Sequence, residues 1–321
     1  MKFLIAGFGS IGRRHYRNLK ALGQNDIVLL RSHRSTLETD EIKGVPVEAT
    51  IEAALAHKPD GVVIANPTAL HLDVAIPAAK AGVDILMEKP VSDSTERIPE
   101  LQAALDESGA RLMVGFQFRF HPSIRKAKAL LKDEKGFGKL LYARAHWGEY
   151  LPDWHPWEDY RTSYAARKDL GGGVVRTLSH PIDYMRYLLG EIEDVKAMTG
   201  NLSSLELTDV EDMGEMQFRH TNGAISTIHV NYFQRPPRHE FEIICEKGTI
   251  KWDNADGLCH WWTIKQDEWR TYQLPPDFDR NDLFLAETAH FLQMVEGNSV
   301  SSCTLQDGLR VQEIIEEVLR Q

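Results

Sequence analysis

Lys2-Phe-Leu-Ile-Ala-Gly7-Phe-Gly9-Ser-Ile-Gly12 opens the chain, and its reading decides the fold. Residues 3–6 form a brief apolar run that reads as a buried strand. A GxGxxG follows directly and opens a helix. Each glycine answers a separate demand: Gly7 permits the tight turn, Gly9 lets the backbone approach a pyrophosphate, and Gly12 lets helix pack on strand. The helix N-terminus then offers unpaired N–H groups and a partial positive charge to an anion. Glycine-rich turns are common, so the context decides. Here the first strand begins at residue 2 and several βα units follow, so Gly7, Phe8, Gly9, Ser10, Ile11 and Gly12 are expected to hold a dinucleotide.

Working outward, residues 27–30, 62–65, 85–87 and 112–114 are short apolar runs bounded by Gly, Asp or Pro, the pattern of strands buried on both faces. Amphipathic segments separate them: residues 11–22 end at Gly23, and residues 69–81 start after Thr68 and end at Gly82. Repeated βα units predict an α/β fold with a doubly wound parallel sheet, a Rossmann dinucleotide-binding domain over residues 1–120. After that the grammar changes. Residues 140–147, 195–199, 213–219, 224–232 and 241–245 are longer, several alternate apolar with polar, and Asn222-Gly223 supplies a hairpin turn. Residues 121–321 therefore read as an α+β domain with an open, mostly antiparallel sheet, one face covered by helices at 180–189, 282–295 and 305–320.

Composition removes other classes. Across 321 residues there are 37 Lys+Arg against 47 Asp+Glu, a formal net charge of -10. That balance argues against non-specific nucleic-acid or anionic-membrane binding, which needs cationic patches. No apolar run reaches the ~18 residues a membrane span requires. Arg13 and Arg14 cut short the only stretch that mimics a signal peptide, so a cytoplasmic protein is expected. Cys245, Cys259 and Cys303 are too few and scattered for a disulfide framework or a zinc knuckle. His146, His155, His229 and His260 have no carboxylate or Cys at ligand spacing, so no metal is expected.

The end of the second strand discriminates between dinucleotides. An NAD enzyme usually places a carboxylate there, about 20 residues past the glycines, to bind the ribose 2′-hydroxyl. This chain has Leu29-Leu30-Arg31-Ser32-His33-Arg34. Arg31, Ser32 and Arg34 suit a 2′-phosphate through charge-assisted hydrogen bonds, so NADP is expected, with NAD as the alternative. A solvated basic loop is the plain reading of the same residues.

Four stretches give the sequence a resemblance to the Gfo/Idh/MocA family of nicotinamide-dependent sugar oxidoreductases. They are the N-terminal GFGSIG, Ile64-Ala-Asn66-Pro67 with His71, Met87-Glu88-Lys89-Pro90, and Gly171-Gly-Gly173 leading to His180 and Asp183. Asp307-Gly-Leu-Arg-Val311 is similar to the family's C-terminal element. The resemblance implies a Rossmann domain followed by an open sheet whose exposed face mediates homodimers or homotetramers. It also places Asn66, Pro67, His71 and Glu88 at the cofactor and implies a substrate lysine at Lys89. That residue follows a parallel strand and so emerges at the edge where α/β ligands bind.

Hydride transfer at an oxygen-bearing carbon needs a group to move the hydroxyl proton, and imidazole titrates near neutral pH. His180, opening an apparent helix behind the glycines, is the candidate acid/base, and Asp183 could orient its ring or serve the helix N-terminus. Many family members carry Asp four residues before this His. Here that position is Arg176, which cannot act as a base. Either Arg176 binds an anionic sugar or the chemistry is altered. Arg119, Trp154 and Arg161 complete the substrate candidates, the aromatics suiting a sugar's C–H face or, equally, a packed core. The expected activity is hydride exchange between NAD(P) and a sugar hydroxyl or carbonyl. Two rivals stand beside it: nucleotide-assisted hydrolysis or elimination, and a non-catalytic ligand-sensing protein that keeps the fold.

Overall fold

The computed structural model describes residues 1–31 and 40–321, so Ser32 and Arg34 lie outside the described residues. Two compact units emerge: Met1–Gln117 with Asp279–Gln312, and Phe118–Phe278 with Glu313–Gln321.

In the first unit, β1 (Lys2–Ala6), β2 (Asp26–Leu30), β3 (Val47–Glu48), β4 (Gly61–Ile64), β5 (Asp84–Glu88) and β6 (Leu112–Gly115) make one sheet in the order β3-β2-β1-β4-β5-β6. Every pairing is parallel. Val62, Val63 and Ile64 are wholly buried, as strands covered on both faces must be. Helices α1 (Ser10–Ala21), α2 (Ile51–Leu55), α3 (His71–Lys80) and α4 (Ile98–Ser108) are the crossovers. The order reverses at β1, and the loops after β1, β4 and β5 lie at the carboxyl edge.

The second unit begins with α5 (Pro122–Leu131) and α6 (Glu134–Phe137) and continues through β7 (Leu140–Tyr150), α7 (Val174–Thr177) and α8 (His180–Leu189). Seven further strands follow: β8 (Ile192–Gly200), β9 (Met213–His220), β10 (Ile225–Asn231), β11 (Phe233–Cys245), β12 (Gly248–Asp253), β13 (Cys259–Thr263) and β14 (Trp269–Tyr272). They pair as β14-β13-β12-β11-β7-β10-β9-β8, antiparallel except where β10 lies parallel to β7. Buried residues alternate with exposed ones along β9, the signature of a sheet covered on one side. Helix α8 packs on β7 and β10, and α5 on β12 and β13.

The chain then supplies α9 (Asn281–Val295) and α10 (Leu305–Arg320). Here the two units differ from a simple division at residue 120. Phe291, Leu292 and Met294 of α9 join Phe3, Ile5, Leu19 and Val63 in the first unit's core, and the Phe291 ring lies 6.1 Å from that of Phe3. Asp279–Gln312 therefore groups with the first unit, while Gln321 bonds to the backbone of Ala197 and Val195 in the second.

Candidate active site

The glycine turn carries the geometry its sequence demands. Gly7 has φ 94° and donates its N–H to the Leu30 carbonyl at 3.0 Å. A Cβ on Gly7 would come within 2.6 Å of the Asn66 nitrogen, and one on Gly12 would overlap the Gly7 carbonyl oxygen. A Cβ on Gly9 would meet nothing within 4 Å. Two glycines are thus required by the protein's own packing, and Gly9 instead leaves an open approach for a ligand. Ser10 and Ile11 begin α1, whose first turn holds no acidic residue to compete with an incoming phosphate. The residues present fit a dinucleotide.

Phe8 is buried beneath two cations: the guanidinium carbons of Arg13 and Arg31 lie 4.7 and 5.3 Å from its ring centroid. Arg31 follows the last residue of β2, is 8 % exposed, and donates its backbone N–H to the Glu48 carbonyl. The nearby carboxylate is Glu41, which the sequence did not single out. It takes bonds from Arg13 at 2.6 Å and from Arg17 at 2.9 Å. Burial works to raise its pKa, but the two arginines prevail and hold it below the usual range.

His71 is a brace. One ring nitrogen lies 3.0 Å from the Pro90 carbonyl and the other 3.1 Å from that of Asn66, tying the turn after β4 to the turn after β5. Burial lowers its pKa, so the ring is neutral and donates to one carbonyl at a time. Asn66, beside Pro67, donates its amide to the Leu70 carbonyl, while its Oδ1 is buried without a partner among the described residues, which suits a ligand's donor.

Lys89 emerges at the end of β5, and its peptide bond to Pro90 is cis. Desolvation lowers its pKa to about 8, with Arg280 adding to the fall and Glu88 opposing it. Such a lysine is mostly an ammonium at neutral pH yet loses its proton one to two units above, a perturbation typical of functional lysines. Glu88 receives His15 Nε2 at 2.9 Å and the Lys89 N–H at 3.3 Å. Glu287 of α9 completes this cluster: one ligand atom each from His15, Glu88 and Glu287 lies within 4.8 Å of the others. The signal in the sequence was a carboxylate on the mostly apolar stripe of Leu283, Phe284, Thr288 and Phe291, all buried.

In the second unit, His180 is 3 % exposed and opens α8. Its ring lies in an aromatic stack: Trp147 is 5.7 Å away and nearly parallel, and Trp147 stacks at 4.0 Å on His239, its partner across β7 and β11. Phe118 meets His180 edge-on at 5.0 Å. Asp183 takes the Arg119 guanidinium, with Nε at 3.1 and 3.0 Å and Nη2 at 2.6 Å, and the pair is buried, with side chains 7 % and 1 % exposed. Arg119 and Asp183 are therefore brought to each other, and the pair anchors the first turn of the helix that carries His180.

Arg176 is partly buried in α7, and its Nε has no partner among the described residues. Its charge acts on Glu211, which accepts the Val175 N–H at 2.9 Å and whose pKa burial raises. Trp154 lies edge-on to Tyr232 at 5.6 Å, with its indole nitrogen buried and without a partner among the described residues. Arg161 is exposed and bound to Asp159 and Glu206, so it sits in a surface ion-pair network.

Comparison with known proteins places this geometry. The model of the GFO/IDH/MocA N-terminal domain, described as an oxidoreductase family with an NAD-binding Rossmann fold, matches residues 1–116, and the family's C-terminal domain matches residues 124–251. Levoglucosan dehydrogenase of Pseudarthrobacter phenanthrenivorans is 30% identical over 58% of this chain and 53% of its own length. The 2,7-anhydro-N-acetylneuraminate hydratase of Mediterraneibacter gnavus is 26% identical over 79% of this chain and 67% of its own. Among solved structures, GenD2 of gentamicin A biosynthesis in complex with NAD superposes with a TM-score of 0.83 at 26% identity, covering 100% of this chain and 93% of that one.

Proposed function

Because the chain belongs to the GFO/IDH/MocA oxidoreductase family, we propose that it exchanges a hydride between a nicotinamide dinucleotide and a secondary hydroxyl or carbonyl carbon of a sugar or sugar derivative. The observation that carries this reading is Lys89, an amine lowered to about 8 at the carboxyl edge of the parallel sheet. A bound nicotinamide supplies the hydride acceptor or donor. Lys89, as an ammonium, hydrogen-bonds the substrate oxygen and favours loss of its proton, and His180 takes that proton in oxidation or returns it in reduction.

Arg31 beside Phe8, with no carboxylate in Leu29-Leu30-Arg31, supports NADP over NAD. The unbonded Nε of Arg176 supports an anionic substrate. An open sheet face, with Met198 72% and Trp269 52% exposed, supports assembly into a homodimer or homotetramer. Three buried free thiols fit the reducing cytoplasm, and no helix among the described residues is long and apolar enough to cross a membrane.

Purified protein titrated with NADPH and NADH, then screened against acidic, amino and nucleotide-linked sugars, tests the reading. Tight NADPH binding with sugar-dependent nicotinamide turnover is expected, and failure of both nucleotides to bind refutes it. The hydratase relative favours a second reading, in which transient oxidation yields no net redox change. Sugar conversion at constant nicotinamide would select it.

A further inference from the structure

Beside Glu88, the residue before Lys89, lies a group that the hydride chemistry does not use. Glu287 is 0 % exposed, and neither of its carboxyl oxygens has a hydrogen-bond partner among the described residues. His15 of α1 and Glu88 at the end of β5 face it; beyond them the Lys89 charge acts on Glu88, that of Arg280 on Lys89, and those of Arg280, Glu88 and Asp279 on Arg14. His15 Nε2 meets Glu88 Oε1 at 2.9 Å, and its Nδ1 has no partner among the described residues. Glu88 accepts two N–H groups and lies beside the Lys89 charge, whereas Glu287 accepts none. Two carboxyl groups this close in a buried site do not both ionise, and the charge goes to the one with donors.

We propose that Glu287 is a neutral carboxylic acid sharing one negative charge with Glu88, and that it is a positioning residue for Lys89. The single carboxylate of Glu88, opposed by Arg280, holds Lys89 as the ammonium the substrate oxygen needs. A second carboxylate would compete with that oxygen for its N–H donors. A divalent cation is the competing occupant of a His-Glu-Glu cluster. It would need both carboxylates ionised, with the Lys89 charge already set against Glu88, and among the described residues His15 lacks the outer partner that metal-bound imidazoles almost always have.

The proposal rests on Lys89 serving the substrate, and the experiment separates the two. Infrared spectra of the wild-type full chain at pH 7 are compared with those of Glu287→Gln and, should that variant not fold, Glu287→Met. A protonated-carboxyl absorption present in the wild type and missing from the variant is expected; its absence from the wild type overturns the proposal whatever the activity. Direction of charge follows from the pH profile of kcat/KM. Glu287→Gln should leave its alkaline limb in place, while Glu88→Gln should move that limb about one to three units lower. An equal shift in both variants would show Glu287 ionised and overturn the proposal. So would zinc or manganese raising the Tm of the wild type but not of Glu287→Gln. Lack of any alkaline limb, with the infrared band present, would instead count against Lys89 as the substrate residue.

Discussion

Replacing Asp183 by Asn removes a negative charge while keeping the side chain's shape, and it leaves the Arg119 guanidinium only 7 % exposed without its counter-ion. Breaking a buried pair from one side costs about 3–5 kcal/mol, because the remaining charge is desolvated and unpaired. The second unit falls in the size class where each kcal/mol moves Tm by about 2–4 °C, so a fall of roughly 6–20 °C follows. The assay is favourable, because all seven tryptophans of the chain, from Trp147 to Trp269, belong to the second unit. Tryptophan fluorescence on heating therefore reports that unit. The double variant Arg119→Met with Asp183→Leu should recover most of the lost stability, since an apolar pair of similar volume is often as stable as a buried ion pair. A loss below about 1 kcal/mol in Asp183→Asn would refute the reasoning, because that is the range of a solvated surface pair.

Other outcomes follow from the same geometry. Gly9→Ala should fold with an unchanged Tm yet lose nucleotide affinity at least tenfold, since a Cβ there meets only open space; calorimetric titration checks both halves. Gly12→Ala should instead destabilise the first unit, because its Cβ overlaps the Gly7 carbonyl oxygen, and far-UV circular dichroism on heating would register this. With Lys89 acting as an ammonium of pKa about 8, kcat/KM should be flat near neutrality and fall as pH rises through that value. Arg31→Ala should weaken NADPH more than NADH, read from the two dissociation constants. Arg176→Ala should weaken acidic sugars more than neutral ones, and an equal loss on both would remove the case for an anionic substrate.

The parallel half was legible because its signals are local. Short apolar runs such as residues 62–64 become the wholly buried strand centre, and the glycine spacing matches a turn whose clashes single out Gly7 and Gly12. The pairing partners were less legible. Phe291 lies 288 residues from Phe3 in the chain yet packs on it, so α9 reads as part of the later domain until tertiary contacts assign it to the earlier unit. Long-range charge pairing hid in the same way. Arg119 and Asp183 read as separate pocket residues, and only the fold, bringing them 2.6 Å apart, makes each the other's partner. Glu287 was visible only as an anomaly, a carboxylate on an apolar helical stripe, with nothing in the sequence to say that His15 and Glu88 face it.

The central claim is a nicotinamide hydride exchange that depends on Lys89. It is tested most directly by following reduced-nicotinamide absorbance with a sugar panel for the wild type and Lys89→Ala, each first shown to bind NADPH. Sugar-dependent oxidation or reduction in the wild type, abolished in Lys89→Ala with NADPH affinity retained, is the predicted result. Turnover by Lys89→Ala equal to that of the wild type would contradict it.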